Sequence, residues 1–181
     1  MLLEGKNAVV HGGGGAIGGA VARAFAREGA RVFLAGRTLA HLEEVATVIR
    51  DAGGTAETAE VDALQEAQVD AHADAVAARA GSLDVCLNVI SHGDVQGIPF
   101  VEMAPEDYLR PVETAVRTTF LTSRAAARHM ARQGSGVILA FGGSGPPPPS
   151  TSAAGRWSPS RRSSRCAARS PPSWATGECG S

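Results

Sequence analysis

A doubly wound α/β fold built on a parallel sheet is what this sequence predicts, and three observations predict it. Short, uninterrupted apolar runs alternate with longer stretches of helical spacing through residues 1–145. Runs of that kind are strands covered on both faces, and strands separated by helices make βαβ units. The segment HGGGGAIGG stands between the first run and the first helical stretch, where a phosphate-binding turn belongs in such a fold. The length, 181 residues, suits one domain with enough chain to bury a sizeable core.

Taken in order, NAVVH reads as a short buried strand. AIGGAVARAFAREGA follows as a helix, with Ile17, Val21 and Phe25 at helical spacing and a stop at Gly29. RVFLAG is a second buried strand. TLAHLEEVATVIRDAGG is a helix with Thr38 as N-cap and Gly53 past its end. TAETAEVD is a third strand, LQEAQVDAHADAVAARAG an Ala-rich helix, and LDVCLNVIS a fourth, uninterrupted apolar strand. A loop holding Gly93, Gly97 and Pro99 leads to a long helix over about residues 106–132, and GVILAF is a fifth strand. Right-handed crossovers wind these strands into a Rossmann-like sheet. Its ligand sits at the carboxyl ends of the strands, near the switch point.

The apolar fraction of 44% is ordinary for a globular protein, and the net charge of −1 gives no reason to expect nucleic acid or an anionic membrane as partner. The average hides a split. Residues 146–181 hold seven of the ten Pro, both Trp, two of the three Cys, five Arg and a single acid, Glu178. Their net charge is +4, which leaves −5 for residues 1–145. Such a shift marks a boundary. Cys86, Cys166 and Cys179 form neither a metal-ligand spacing nor a disulfide framework, so unpaired thiols in a reducing cytoplasm are expected. No apolar run reaches the length of a membrane span, no secretory signal is visible, and no internal repeat is present.

In HGGGGAIGG, glycine permits a tight turn and lets backbone N–H groups approach a phosphate without Cβ interference. The helix that follows favours an anion at its N-terminus. Here the chain resembles the short-chain dehydrogenase/reductase family, whose fingerprint is T-G-x-x-x-G-x-G. His11 replaces the Thr, Gly12 is the first glycine, Ala16 stands at the second and Gly18 is the third. Gly14 and Gly15 lie within the same turn, and Ile17 resembles its apolar residue. The resemblance covers about residues 4–145 and implies further contacts. Asp62 corresponds to the acid that meets the adenine amino group. Asn88 corresponds to the first Asn of an N-N-A-G segment whose remainder has changed to VIS. Arg37 follows the second strand where NAD users place an acid for the ribose 2′-OH, and an Arg there pairs with a 2′-phosphate. The expected cofactor is NADP, with NAD as the alternative.

The same resemblance implies hydride transfer between nicotinamide and a small carbonyl or alcohol, which calls for a Tyr, a Lys four residues later, a Ser and an Asn. Tyr108 is the only Tyr and Lys6 the only Lys. Lys6 precedes the first strand, at the sheet edge opposite the cofactor and roughly 17 Å from it for a five-residue strand. Tyr108 lies near the start of the long helix. Ala115 stands where the Asn belongs. Ser144 in FGGSG lies about one position from the expected Ser, and a plain turn serine is an equal reading. His92 lies near the expected site, where a solvated loop histidine is the better reading. The alternatives are a dinucleotide-binding module without catalysis and a fragment without function.

Residues 146–181 lack the helix and sixth strand that the resemblance implies. Codons almost all ending in G or C can be chosen for CAARSPPSWATGECGS so that the shifted frame reads RRSLAAELGDRGVRV, an amphipathic helix entering a strand. Trp174 followed by Ala175 forces one glycine of that reading. A slipped frame near residues 146–156 is therefore expected, against a natural Pro/Ser/Arg-rich disordered tail. The expected organisation is a dinucleotide-binding domain over 1–145 and this tail over 146–181, leaving the sheet incomplete at its C-terminal edge. The fifth strand should then be an exposed apolar edge. Full-length relatives are expected to be homo-oligomers through the long helix and the one after it.

Overall fold

The computed structural model describes residues 1–142. Strands and helices alternate as β1 (Asn7–His11), α1 (Ala16–Arg27), β2 (Arg31–Gly36), α2 (Leu39–Asp51), β3 (Thr55–Glu60), α3 (Glu66–Ala80), β4 (Val85–Asn88), α4 (Pro105–Gln133) and β5 (Val137–Ala140), with a short 3₁₀ turn at Phe100–Glu102 before α4. The sheet order is β3-β2-β1-β4-β5, and every neighbouring pair is parallel. The chain winds outward from β1 to β3, returns to β4 on the other side of β1, and continues to β5. The turn of direction lies between β1 and β4, and the carboxyl ends of those strands open a crevice.

Strand alternation sends successive residues to opposite faces, so β1 feeds two cores. Val10, Val32, Leu34 and Leu87 pack with Leu42, Ala46 and Ile49 of α2 on one face. Val9, Phe33 and Cys86 pack with Val69 and Val76 of α3 and with Ala125 and Met130 of α4 on the other. This double burial is why β1, β2 and β4 are nearly continuous apolar runs.

The helix after the glycine turn corrects the expected pattern. Its buried residues are Gly18, Gly19 and Ala22, whereas Val21 and Phe25 are half-buried and Ile17 is 47% exposed. The reason is distance: a Cβ on Gly18 would lie 2.2 Å from the Gly12 carbonyl oxygen. The helix therefore approaches the sheet on its small-residue side. Three strands end earlier than expected, β5 by only one residue, at Ala140. Asp62 leaves β3 because its carboxylate accepts from the Leu64 N–H at 3.0 Å, a local turn that competes with the ladder. Asn88 closes β4 in the same way, its Oδ1 accepting from the Ile90 N–H at 3.1 Å. Thr38 occupies the N-cap position of α2, but its side chain makes no capping hydrogen bond.

Among the described residues nothing pairs with the outer edge of β5. Val137, Leu139 and the following Phe141 are 46%, 40% and 57% exposed, the apolar edge expected from the sequence. The domain boundary at 145 and the tail over 146–181 lie outside the described residues.

Candidate functional site

β1 ends at His11, and the chain reverses at Gly12 with φ +85°, a backbone conformation that favours glycine. The Gly12 N–H donates to the Ala35 carbonyl at 2.8 Å, and the Gly15 N–H donates to the Gly12 carbonyl at 3.1 Å. A Cβ on Gly12 would stand 2.8 Å from the Val89 carbonyl oxygen, and one on Gly14 would stand 2.9 Å from the His41 Cβ. Gly15 is the N-cap of α1 and provides no side-chain cap. The turn is thus a cradle of bare backbone opening onto a helix N-terminus, a surface suited to a phosphate group.

The cradle forms one wall of a cleft of about 520 Å³. Gly12, Gly14, Gly15, Arg37 and Asp62 line it. Ala16 and Ile17 do not line it; they lie on the exposed first turn of α1. Gly18 lies beneath the turn and sets its distance from the helix. Gly13 was not singled out by the sequence. A Cβ there would meet Leu34 Cδ2 at 2.8 Å and the Val10 carbonyl oxygen at 3.1 Å, so a larger residue would press on the β2 side chain beneath the turn. Arg37 is exposed and forms no ion pair among the described residues.

Asn88 is placed differently from a cofactor contact. It is buried, its Nδ2 donating to Thr122 Oγ1 at 3.2 Å, and it does not line the cleft. The Thr122 hydroxyl in turn donates to the Thr118 carbonyl at 2.8 Å. Asn88 therefore ties the end of β4 to α4 and holds the Val89–Ile90 wall of the cleft.

A buried histidine pair was missed by sequence reading. His11, at the fingerprint's Thr position, lines the cleft, and its ring meets that of His72 edge to face at 6.1 Å between centroids. Burial, then the neighbouring His72, pushes the His11 pKa down to about 3. Burial, then Arg79, pushes His72 down to about 4. Both rings are neutral at ordinary pH, and His72 Nε2 is buried without a hydrogen-bond partner among the described residues. No local pattern signals such a pair; only the packing of α3 beneath β1 brings it together.

Among the described residues the proton-transfer groups that the resemblance implies are not brought together. The ring of Tyr108 packs edge to face on Phe100 at 6.1 Å, outside the cleft lining. Lys6 pairs with Asp84 at 3.5 Å, before the amino end of β1 and at the far side of the sheet. Ala115 occupies α4. His92 does line the cleft, and Ser144 lies outside the described residues. Cys86 is buried, and burial pushes its thiol up to about 12, which makes it inert as a nucleophile. Among the described residues no cluster of His, Cys, Asp or Glu could hold a metal ion, and no helix is long and apolar enough to cross a membrane.

A family model described as enoyl-(acyl carrier protein) reductase matches residues 14–154. An uncharacterized oxidoreductase of Bacillus subtilis (strain 168) is 34% identical over 136 residues, covering 75% of this chain and 50% of the relative. Glucose 1-dehydrogenase 2 of the same organism is 33% identical over 129 residues, covering 71% and 50%. The chain spans about half the length of these curated relatives. A metagenomic short-chain oxidoreductase solved in complex with NADP superposes with a TM-score of 0.72 at 31% identity, over 85% of this chain and 70% of that one. NAD+-bound xylitol dehydrogenase superposes with a TM-score of 0.79 at 27% identity, over 86% and 60%.

Proposed function

This chain belongs to the short-chain dehydrogenase/reductase family, and from that premise we propose that its cleft binds NADP(H) in preference to NAD(H). The observation that carries the preference is Arg37. It follows β2 in the cleft, where an NAD site would carry an acid, and no acid of the described residues engages it. The cradle supports the dinucleotide itself, since Gly12 and Gly14 leave space that a Cβ would fill. Gly12, Gly14 and Gly15 would take the pyrophosphate, Arg37 the 2′-phosphate, and Asp62 the adenine amino group. The dinucleotide supplies the hydride that relatives exchange with a carbonyl or alcohol.

What the chain's own residues do is bind and orient. Asn88, through Thr122, holds the β4 wall, and Thr118 donates its own hydroxyl back to the Thr114 carbonyl at 2.8 Å. The 181 residues contain no Tyr-x-x-x-Lys. Reduction of a carbonyl builds charge on oxygen that a positioned acid must neutralise, a contribution of about 10²–10⁴-fold. A hydroxyl such as that of Ser144 is too weakly acidic to replace it unaided. The proposal is therefore a dinucleotide-binding domain over residues 1–145, descended from an oxidoreductase of small carbonyls or alcohols, that binds cofactor without turning it over.

Two further points belong to the same reading. The shifted-frame sequence in residues 146–181 supports a slipped coding frame, which sequencing the gene around codons 140–160 tests directly. Exposed Leu109, Val116 and Phe120 on α4 support pairing of two copies along that helix, and the free, buried thiol of Cys86 supports a cytoplasmic setting. The central test is calorimetric titration of the chain with NADPH and NADH, then NADPH oxidation with a panel of ketones. Tighter NADPH binding, weakened toward NADH by Arg37→Ala, is expected, with no turnover. Equal affinities would overturn the NADP(H) assignment, and robust turnover would overturn the non-catalytic reading.

A further inference from the structure

We infer that His41 is a second specificity-determining residue for the dinucleotide, donating a hydrogen bond to the 2′-phosphate beside Arg37. The inference rests on the reading of the cleft as an NADP(H) site and adds a residue to it.

The placement starts from Leu42, which is 1% exposed in the core of the β-sheet face covered by α1 and α2. A Cβ on Gly36 would lie 3.3 Å from Leu42 Cδ2, so this leucine docks the first turn of α2 against the end of β2. Its neighbour His41 is then fixed against the phosphate turn. A Cβ on Gly14 would stand 2.9 Å from His41 Cβ and 3.2 Å from its carbonyl carbon. His41 thus stands against the glycine cradle, and Arg37 stands at the end of the strand beside it. Both line the cleft, together with Thr38.

Among the described residues these three side chains are unengaged. His41 is exposed, and its ring makes no hydrogen bond or ion pair among the described residues. Thr38 makes no capping bond. The acids of the same helix are occupied or apart. Glu43 is held by Thr58 and Arg50, and Glu44, one turn beyond His41, forms no ion pair among the described residues. Glu60 stands opposite Gly36 in the β2–β3 register but does not line the cleft. A phosphate monoester offers three strong acceptor oxygens. The guanidinium fork of Arg37 can meet two of them, which leaves acceptor capacity for an N–H on the neighbouring wall.

The test uses two probes that differ only in the 2′-phosphate, 2′,5′-ADP and 5′-AMP, titrated into the full chain and its variants. His41→Ala should weaken 2′,5′-ADP by roughly tenfold, the scale of one charge-assisted hydrogen bond at a partly open site, and leave 5′-AMP unchanged. His41→Gln, which keeps an N–H donor, should recover most of that loss. His41 is exposed, so neither variant threatens the core. An equal loss on both probes would reduce His41 to packing against the cradle and overturn the inference, as would full retention of the 2′,5′-ADP preference in His41→Ala. If the unmutated chain shows no preference for 2′,5′-ADP, the NADP(H) reading itself falls. The two failures are thereby distinguished.

Discussion

Acid should loosen this fold through His11 and His72, and the size of the effect follows from their burial. Both rings are held neutral, His11 at a pKa of about 3 and His72 at about 4, against an ordinary value of 6.5. The folded values lie below the unfolded one. Between them, the unfolded chain takes up protons that the fold refuses. Stability is therefore fully present above pH 6.5 and is lost as the pH falls below it. Between about pH 7.5 and about pH 5 each ring costs roughly 2 kcal/mol, and the pair roughly 4 kcal/mol. That is a large part of a typical domain's stability of about 5–15 kcal/mol. The charged group facing the pair is Arg79, which acts on His72 in the same direction as burial. The assay is urea denaturation followed by circular dichroism at a series of pH values. His11→Thr, which restores the fingerprint residue, should remove about half of the acid-dependent loss, and His72→Gln the other half. If both variants lose stability with acid as steeply as the unmutated chain, the histidine pair does not carry the effect and the argument fails.

Two other outcomes are expected. Gly12→Val should abolish dinucleotide binding, because a β-branched side chain resists φ +85° and its Cβ would sit 2.8 Å from the Val89 carbonyl; undiminished calorimetric binding would mean that the turn only links β1 to α1. Leu139→Lys should raise the soluble fraction on expression and delay light scattering on warming, because it places a charge on the exposed apolar edge of β5; an unchanged aggregation rate would show that this edge is not the adhesive surface.

Much of this was legible in the sequence because it is local. Continuous apolar runs separated by helical spacing specify β1, β2 and β4 with the helices between them, since strands covered on both faces are apolar at nearly every position, the exceptions being end residues such as His11 and Asn88. Four consecutive glycines between a strand and a helix locate the cradle, and Arg37 in place of an acid marks the adjoining end of β2. A single Tyr and a single Lys, both near the wrong elements, already disclose that the proton-transfer pair is not assembled. Tertiary structure decided what depends on the closeness of approach and on the crossovers. The contact of Gly18 with the Gly12 carbonyl turns α1 onto its small-residue side and leaves Ile17 exposed, against its helical spacing. Asn88 reads as a cofactor contact from its place in the fingerprint, yet Thr122 of α4 draws its side chain inward. His11 meets His72, and His41 meets Gly14, only because parallel register and right-handed crossovers bring α3 to the end of β1 and α2 to the turn that follows it. Periodicity records which face of an element is buried; it does not record which residue of a distant element will lie opposite.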